Sequence, residues 1–73
     1  MPPLPVISGA QAVKAFSRAG WRLVRQKGSH AILVKPGHIA SLSVPQHREL
    51  APGTLRSLIR ASGLTVDEFV TLL

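Results

Sequence analysis

Ala12, Val13, Phe16 and Ala19 recur at helical spacing, with Gln11, Lys14 and Arg18 on the opposite side. Ser8 precedes this stripe as an N-cap and Gln11 can reach back from the third helical position, the pattern of a capping box. Ile7 and Ala12 fall where a hydrophobic staple would hold the entry of the helix, and Gly20 is placed to end it. The period then changes. Trp21 to Gln26 alternates imperfectly and is rich in strand-favouring residues, Lys27-Gly28-Ser29 reads as a hairpin connection, and His30 to Lys35 reads as a second strand. Lys35-Pro36-Gly37-His38 carries proline and glycine at the two central positions of a type II turn. Ile39 to Val44 is then a third strand, closed off by Pro45.

Helical spacing returns with Leu55, Leu58 and Ile59 behind Pro52, a residue suited to the first helical position, and Gly63 stops that helix. Thr65-Val66-Asp67-Glu68 is a second capping box, with Leu64 and Phe69 as its staple. The short helix that follows is expected to bury Val66, Phe69, Val70 and Leu73. The predicted order is α-β-β-β-α-α, an α+β fold with the helices on one face of a three-stranded antiparallel sheet. That is the element order of double-stranded RNA-binding domains with one short C-terminal helix added. Topology alone says little about function.

A chain of 73 residues has room for one core, so residues 1–73 are read as a single domain with 1–7 as an extended, proline-rich lead-in. Hydrophobic residues make up 45% and charged residues 16%, a balance that argues against disorder. No cysteine is present, which removes disulfides, thiolate metal ligands and thiol nucleophiles. The longest run without Asp, Glu, Lys or Arg is Met1 to Val13, too short and too rich in proline for a membrane span. With no basic, apolar leader in sight, the expectation is a soluble cytoplasmic protein.

Charge changes the picture most. Nine Lys and Arg against three Asp and Glu give +6, and the distribution is lopsided. Residues 1–48 carry Lys14, Arg18, Arg22, Arg25, Lys27, Lys35 and Arg48 with no acid, whereas residues 49–73 sum to −1. A strongly cationic small domain points to a polyanionic partner, most often nucleic acid. Solubility alone is the blander explanation, but acids would then be interspersed with the bases.

The acids also limit the chemistry. A metal-dependent nuclease gathers several carboxylates about its ions, and here only Glu49, Asp67 and Glu68 exist. Asp67 and Glu68 suit the first turn of a helix better than a site. His30, His38 and His47 follow no recognised metal-ligand spacing. His38 fits a solvated turn and His47 a loop. His30 differs in context, following Gly28-Ser29 and standing close in sequence to Arg22, Arg25 and Lys27. An imidazole titrates near neutral pH and can move protons there. Ser29 is a poor nucleophile for it, because neighbouring strand residues point to opposite faces. With no convincing nucleophile in the chain, the substrate could supply one, the 2′-OH that RNA carries and DNA lacks. His30 would then act as general base, or as acid toward the leaving 5′-oxygen, while Lys27, Arg22 or Arg25 stabilise charge in the transition state.

Gly20-Trp21, Arg25-Gln26-Lys27-Gly28-Ser29-His30, Val44-Pro45 with His47, Gly53-Thr54-Leu55 and Gly63-Leu64-Thr65 together resemble the HicA toxins, and the likeness runs over essentially the whole chain. Its most specific element is the run from Arg25 to His30. The aliphatic Ala31-Ile32-Leu33-Val34 departs from the polar or aromatic residues many relatives place there. The resemblance implies a fold similar to a double-stranded RNA-binding domain, an mRNA interferase activity, and a HicB antitoxin that masks the active surface. It implies that His30, in Gly-Ser-His, is the catalytic histidine. The expected RNA-contacting residues are Arg22, Arg25, Lys27, Gly28, Ser29 and Lys35, with no metal and no cofactor. Alternation along the first strand puts Trp21, Leu23 and Arg25 on one face and Arg22, Val24 and Gln26 on the other, and either face could be buried. Two other readings compete, a non-catalytic RNA-binding module and a small adaptor whose basic face docks an acidic protein.

Overall fold

The computed structural model describes residues 3–73, in the order α1 (Gly9–Arg18), β1 (Arg22–Lys27), β2 (His30–Val34), β3 (Leu42–Pro45), α2 (Pro52–Ser62) and α3 (Val66–Thr71). Local chemistry explains most of the boundaries. Ser8 Oγ accepts from the Gln11 amide while the Gln11 side chain accepts from the Ser8 amide, so the first capping box closes. Thr65 and Glu68 do the same for α3. α1 ends in a Schellman motif: Gly20 at φ 99° donates to the Ser17 carbonyl and Trp21 donates to the Phe16 carbonyl. Gly63 at φ 82° ends α2 in the same left-handed region. The turn at Lys35–His38 has its expected hydrogen bond, from the His38 amide to the Lys35 carbonyl at 3.0 Å, with Gly37 at φ 86°.

The strands form one antiparallel sheet in the order β1-β2-β3. Ala31 and Leu33 of β2 and Leu42 and Val44 of β3 face the helices and are buried. They meet Phe16, Trp21, Leu55, Ile59 and Phe69, all but withdrawn from solvent. The Phe16 and Phe69 rings lie 4.9 Å apart at 48°, joining α1 to α3, a tilted arrangement worth about 0.5–1.5 kcal/mol beyond area burial. Trp21 is buried just ahead of β1, where its Nε1 finds no hydrogen-bond acceptor among the described residues and its ring meets His38 in an edge-on contact at 5.1 Å. The result is an α+β fold of the double-stranded RNA-binding-domain type with an additional terminal helix, as the residue pattern predicts.

Five details differ from the pattern, the smallest being that β2 ends at Val34, one residue short of Lys35. The first strand runs one residue later than expected, leaving Trp21 to the core and taking in Lys27. The third strand starts at Leu42 rather than Ile39, because pairing with β2 begins at Leu33↔Leu42 and nothing opposes residues 39–41; Ile39 stands in full solvent. Pro45 belongs to the strand instead of closing it. The next amide, that of Gln46, donates inward to the Ser29 carbonyl, so the nitrogen of Pro45 faces the open edge, where no ladder hydrogen bond is lost. In α3 only Phe69 is fully buried; Val70 and Leu73 are exposed and Leu72 packs against the core in their stead. In the lead-in, Met1 and Pro2 lie outside the described residues. Leu4 and Ile7 pack against the core, and the Ile7 carbonyl accepts from the Leu50 amide at 2.8 Å.

The start of α1 is pressed against the end of β3. Gly9 donates to the His47 carbonyl at 2.9 Å, and a Cβ at Gly9 would overlap the Pro45 carbonyl oxygen and crowd Gln46 Cα. Gly9→Ala is therefore expected to cost about 1–3 kcal/mol, since backbone must move to admit the methyl. Gly53→Ala, in the first turn of α2 with no atom within 4 Å of the added carbon, should be neutral or stabilising by up to about 1 kcal/mol. Urea unfolding of the two variants beside the parent measures both, and equal effects would contradict the close approach at Gly9.

Candidate active site

β1 and β2 are joined by two residues, Gly28 and Ser29, and the closing pair is Lys27↔His30. Gly28 has φ 60° while Ser29 keeps a negative φ, the arrangement of a type II′ hairpin with glycine at its first central position. Gln26 Nε2 donates to the Gly28 carbonyl at 3.3 Å, and the Ser29 carbonyl receives the Gln46 amide at 2.6 Å, so the tip is tied to β1 and to the residue that follows β3. Directly opposed residues share a face with Cβ atoms about 5 Å apart, which sets the Lys27 and His30 side chains beside each other.

The face they share is the one turned away from the helices. Ala31 and Leu33 are buried, so His30, Ile32 and Val34 project from the other side of β2. The register then assigns their neighbours: His30 lies between Lys27 and Pro45, Ile32 between Arg25 and Ser43, and Val34 beside Arg22. Alternation alone would separate Arg22 from Arg25. A β-bulge between Leu23 and Arg25 leaves Val24 as the extra residue and restores the phase, so that Arg22, Arg25 and Lys27 all join His30 on the open face. No residue of β1 is buried, and Leu23 and Val24 are each about half exposed. Rows on the same face repeat about every 7 Å along a strand, so Arg25 stands one step and Arg22 about two steps from His30.

The remaining candidates sit elsewhere. Lys35 follows the far end of β2, five residues from His30 or about 16 Å along the strand, and its aliphatic stem lies over Gly20. Ser29 is in the turn rather than in a strand. His38 packs on Trp21. His47 is exposed two residues beyond Pro45, and its carbonyl anchors the start of α1. Glu68 closes its capping box, and among the described residues no group of three or more His, Asp and Glu side chains could share a metal ion. Ser43 and Pro45 complete the open face beside His30; the sequence pattern missed them because it carries no information about which strand neighbours which residue. The candidate site is an exposed sheet surface; the groove between β3 and α2, lined by Ser41, Leu42, Thr54 and Ser57, shares only Ser43 with it.

A family model for the HicA toxin of bacterial toxin–antitoxin systems matches residues 9–64, from the first residue of α1 to just past the end of α2. The chain belongs to the HicA toxin family. It is thus a component of a toxin–antitoxin system, with an antitoxin as partner. No curated protein matches this HicA-family chain. The matched span contains the complete sheet and the Gly28-Ser29-His30 corner of the toxin, whereas α3 lies beyond it.

The corner depends on backbone conformation rather than on room. A Cβ at Gly28 would meet no atom within 4 Å, yet its φ of 60° is a region that L-residues enter at a cost of about 1–2 kcal/mol. Gly28→Ala is expected to destabilise by that amount and to shift the amide resonances of Lys27 and His30. A thermal melt and an amide NMR spectrum test this, and an unchanged variant would show that the turn does not need glycine.

Proposed function

We propose that this HicA-family toxin is an mRNA interferase, an endoribonuclease that cuts mRNA with His30 as its catalytic group and without metal or cofactor. One observation carries the reading: an exposed His30 stands opposite Lys27, which lies in line with Arg25 and Arg22 on a sheet face that no helix covers. The net charge of +6 supports a polyanionic substrate.

In the proposed step the ribose 2′-oxygen attacks the adjacent phosphorus while the His30 imidazole takes the hydroxyl proton. The bond from phosphorus to the 5′-oxygen breaks, and that oxygen takes a proton from water, giving a cyclic phosphate and a 5′-hydroxyl, after which the His30 imidazolium returns its proton to solvent. Lys27 and Arg25 oppose the charge that builds on the non-bridging oxygens. Ser29 and the Gly28 backbone contact the same phosphate region, and Lys35 lends longer-range attraction from the other end of β2. A HicB-type antitoxin silences the toxin by covering this open face. Among the described residues no helix is long and apolar enough to cross a membrane, and mRNA would be met in the cytoplasm.

His30→Ala should lower cleavage of a synthetic RNA by about 10²–10⁴-fold, the usual contribution of a general acid or base, while circular dichroism and the melting temperature stay unchanged. Replacing the 2′-OH at the cut by hydrogen should abolish cutting and leave binding in place, with chelator present throughout. Cutting of the deoxy substrate would refute the mechanism. A parent protein that binds RNA but never cuts it would favour the non-catalytic RNA-binding module instead.

A further inference from the structure

We infer that β1 is a phosphate track for one single strand of RNA, an inference that rests on the cleavage reading and specifies how its substrate is held. Lys27 and His30 take the scissile phosphate, and Arg25 and Arg22 grip the phosphates that follow on one side of it. Three observations converge. The three cations occupy successive same-face rows of one strand, opposite His30, Ile32 and Val34. Their repeat of about 7 Å is comparable to the separation of neighbouring phosphates along an extended single strand. The adjacent row on β2 is aliphatic, with Ile32 half-buried and Val34 37% exposed, and β3 adds only Ser43 and Pro45. Bases of a single strand can lie over Ile32 and Val34 while their phosphates follow β1. A duplex would bring its second backbone over that row, where no cation meets it.

The bulge makes Arg22 part of the track. Were Val24 paired in regular register, Leu23 would face Val34 on the open side and Arg22 would turn toward the helices. The extra residue at Val24 reverses this, setting Leu23 against the buried Leu33 and Arg22 against Val34. The track is also one-sided. All its cations lie from His30 toward the start of β1, so this strand grips the RNA on one flank of the cut.

The test exchanges two neighbours. The double variant R22L/L23R keeps composition and net charge and moves one cation to the helix side of the sheet. Binding of a fluorescent single-stranded oligoribonucleotide is measured in the His30→Ala background across a salt series, and cleavage in the background that retains His30. The slope of log affinity against log salt should fall by about 0.7, the value for one fewer phosphate neutralised on a single strand. Between 50 and 200 mM salt, that shrinks the drop in affinity by about 2.5-fold. Cleavage should weaken in parallel, and a blunt duplex of the same sequence should bind the unswapped protein less tightly than the single strand. Arg22→Gln, which leaves every apolar position in place, makes the same measurement should the exchange impair folding.

An unchanged slope in both Arg22 variants, or a duplex bound as tightly as the single strand, overturns the track. The two readings fail separately. If His30→Ala abolishes cutting and the Arg22 variants change nothing, the cleavage reading stands and the track does not. If the Arg22 variants flatten the salt slope while His30→Ala still cuts, the track stands and the assignment of His30 does not.

Discussion

An antiparallel hairpin closed by two residues has no slack in its register. With Gly28 and Ser29 in the turn, Lys27 must oppose His30, and every other pairing along β1 and β2 follows from that one until the bulge intervenes. Which side of the sheet carries the pair is decided by Ala31 and Leu33, whose burial turns His30 outward. Without the turn the charged residues of β1 would have no fixed relation to the histidine. Without the two buried side chains the pair could as well face the helices.

Burial is confined to one side of the sheet, and even there it does not reach β1. Strands β2 and β3 are anchored by Ala31, Leu33, Leu42 and Val44, whereas β1 is held by its backbone ladder to β2 and by the Schellman corner that leads into it. A two-stranded ribbon by itself is marginal in water, so β1 depends on the anchored strand beside it. The histidine is therefore carried by a rigid element and its cationic neighbours by an exposed edge, the part of the fold with the least buried apolar surface. Long cationic side chains on that edge also discourage pairing with other chains.

Family membership and geometry bear on different questions. The match over residues 9–64 makes the chain a toxin–antitoxin component. The cleavage chemistry proposed for it draws instead on the open face. That face combines one imidazole, a line of cations and an aliphatic row, and a chain without cysteine and with only three acidic side chains, two of them in the first turn of α3, has few other ways to act on a phosphodiester. The antitoxin proposed to cover the face would meet the same features, so inhibition and substrate binding would compete for one surface.

The helix ends, both capping boxes, the Pro36-Gly37 turn and the glycine stops were legible in the sequence because each rests on contacts within a few residues along the chain. His30 beside a glycine turn amid cations was legible for the same reason. The face of β1, the late start of β3 and the exposure of Val70 and Leu73 were not, because each depends on what a distant segment leaves uncovered. Sequence by itself determined the element order, the basic character and the residue types available for chemistry. Only tertiary structure decided that Arg22, Arg25, Lys27 and His30 share a surface, since a bulge exists only relative to a paired strand and a face is open only where no helix packs.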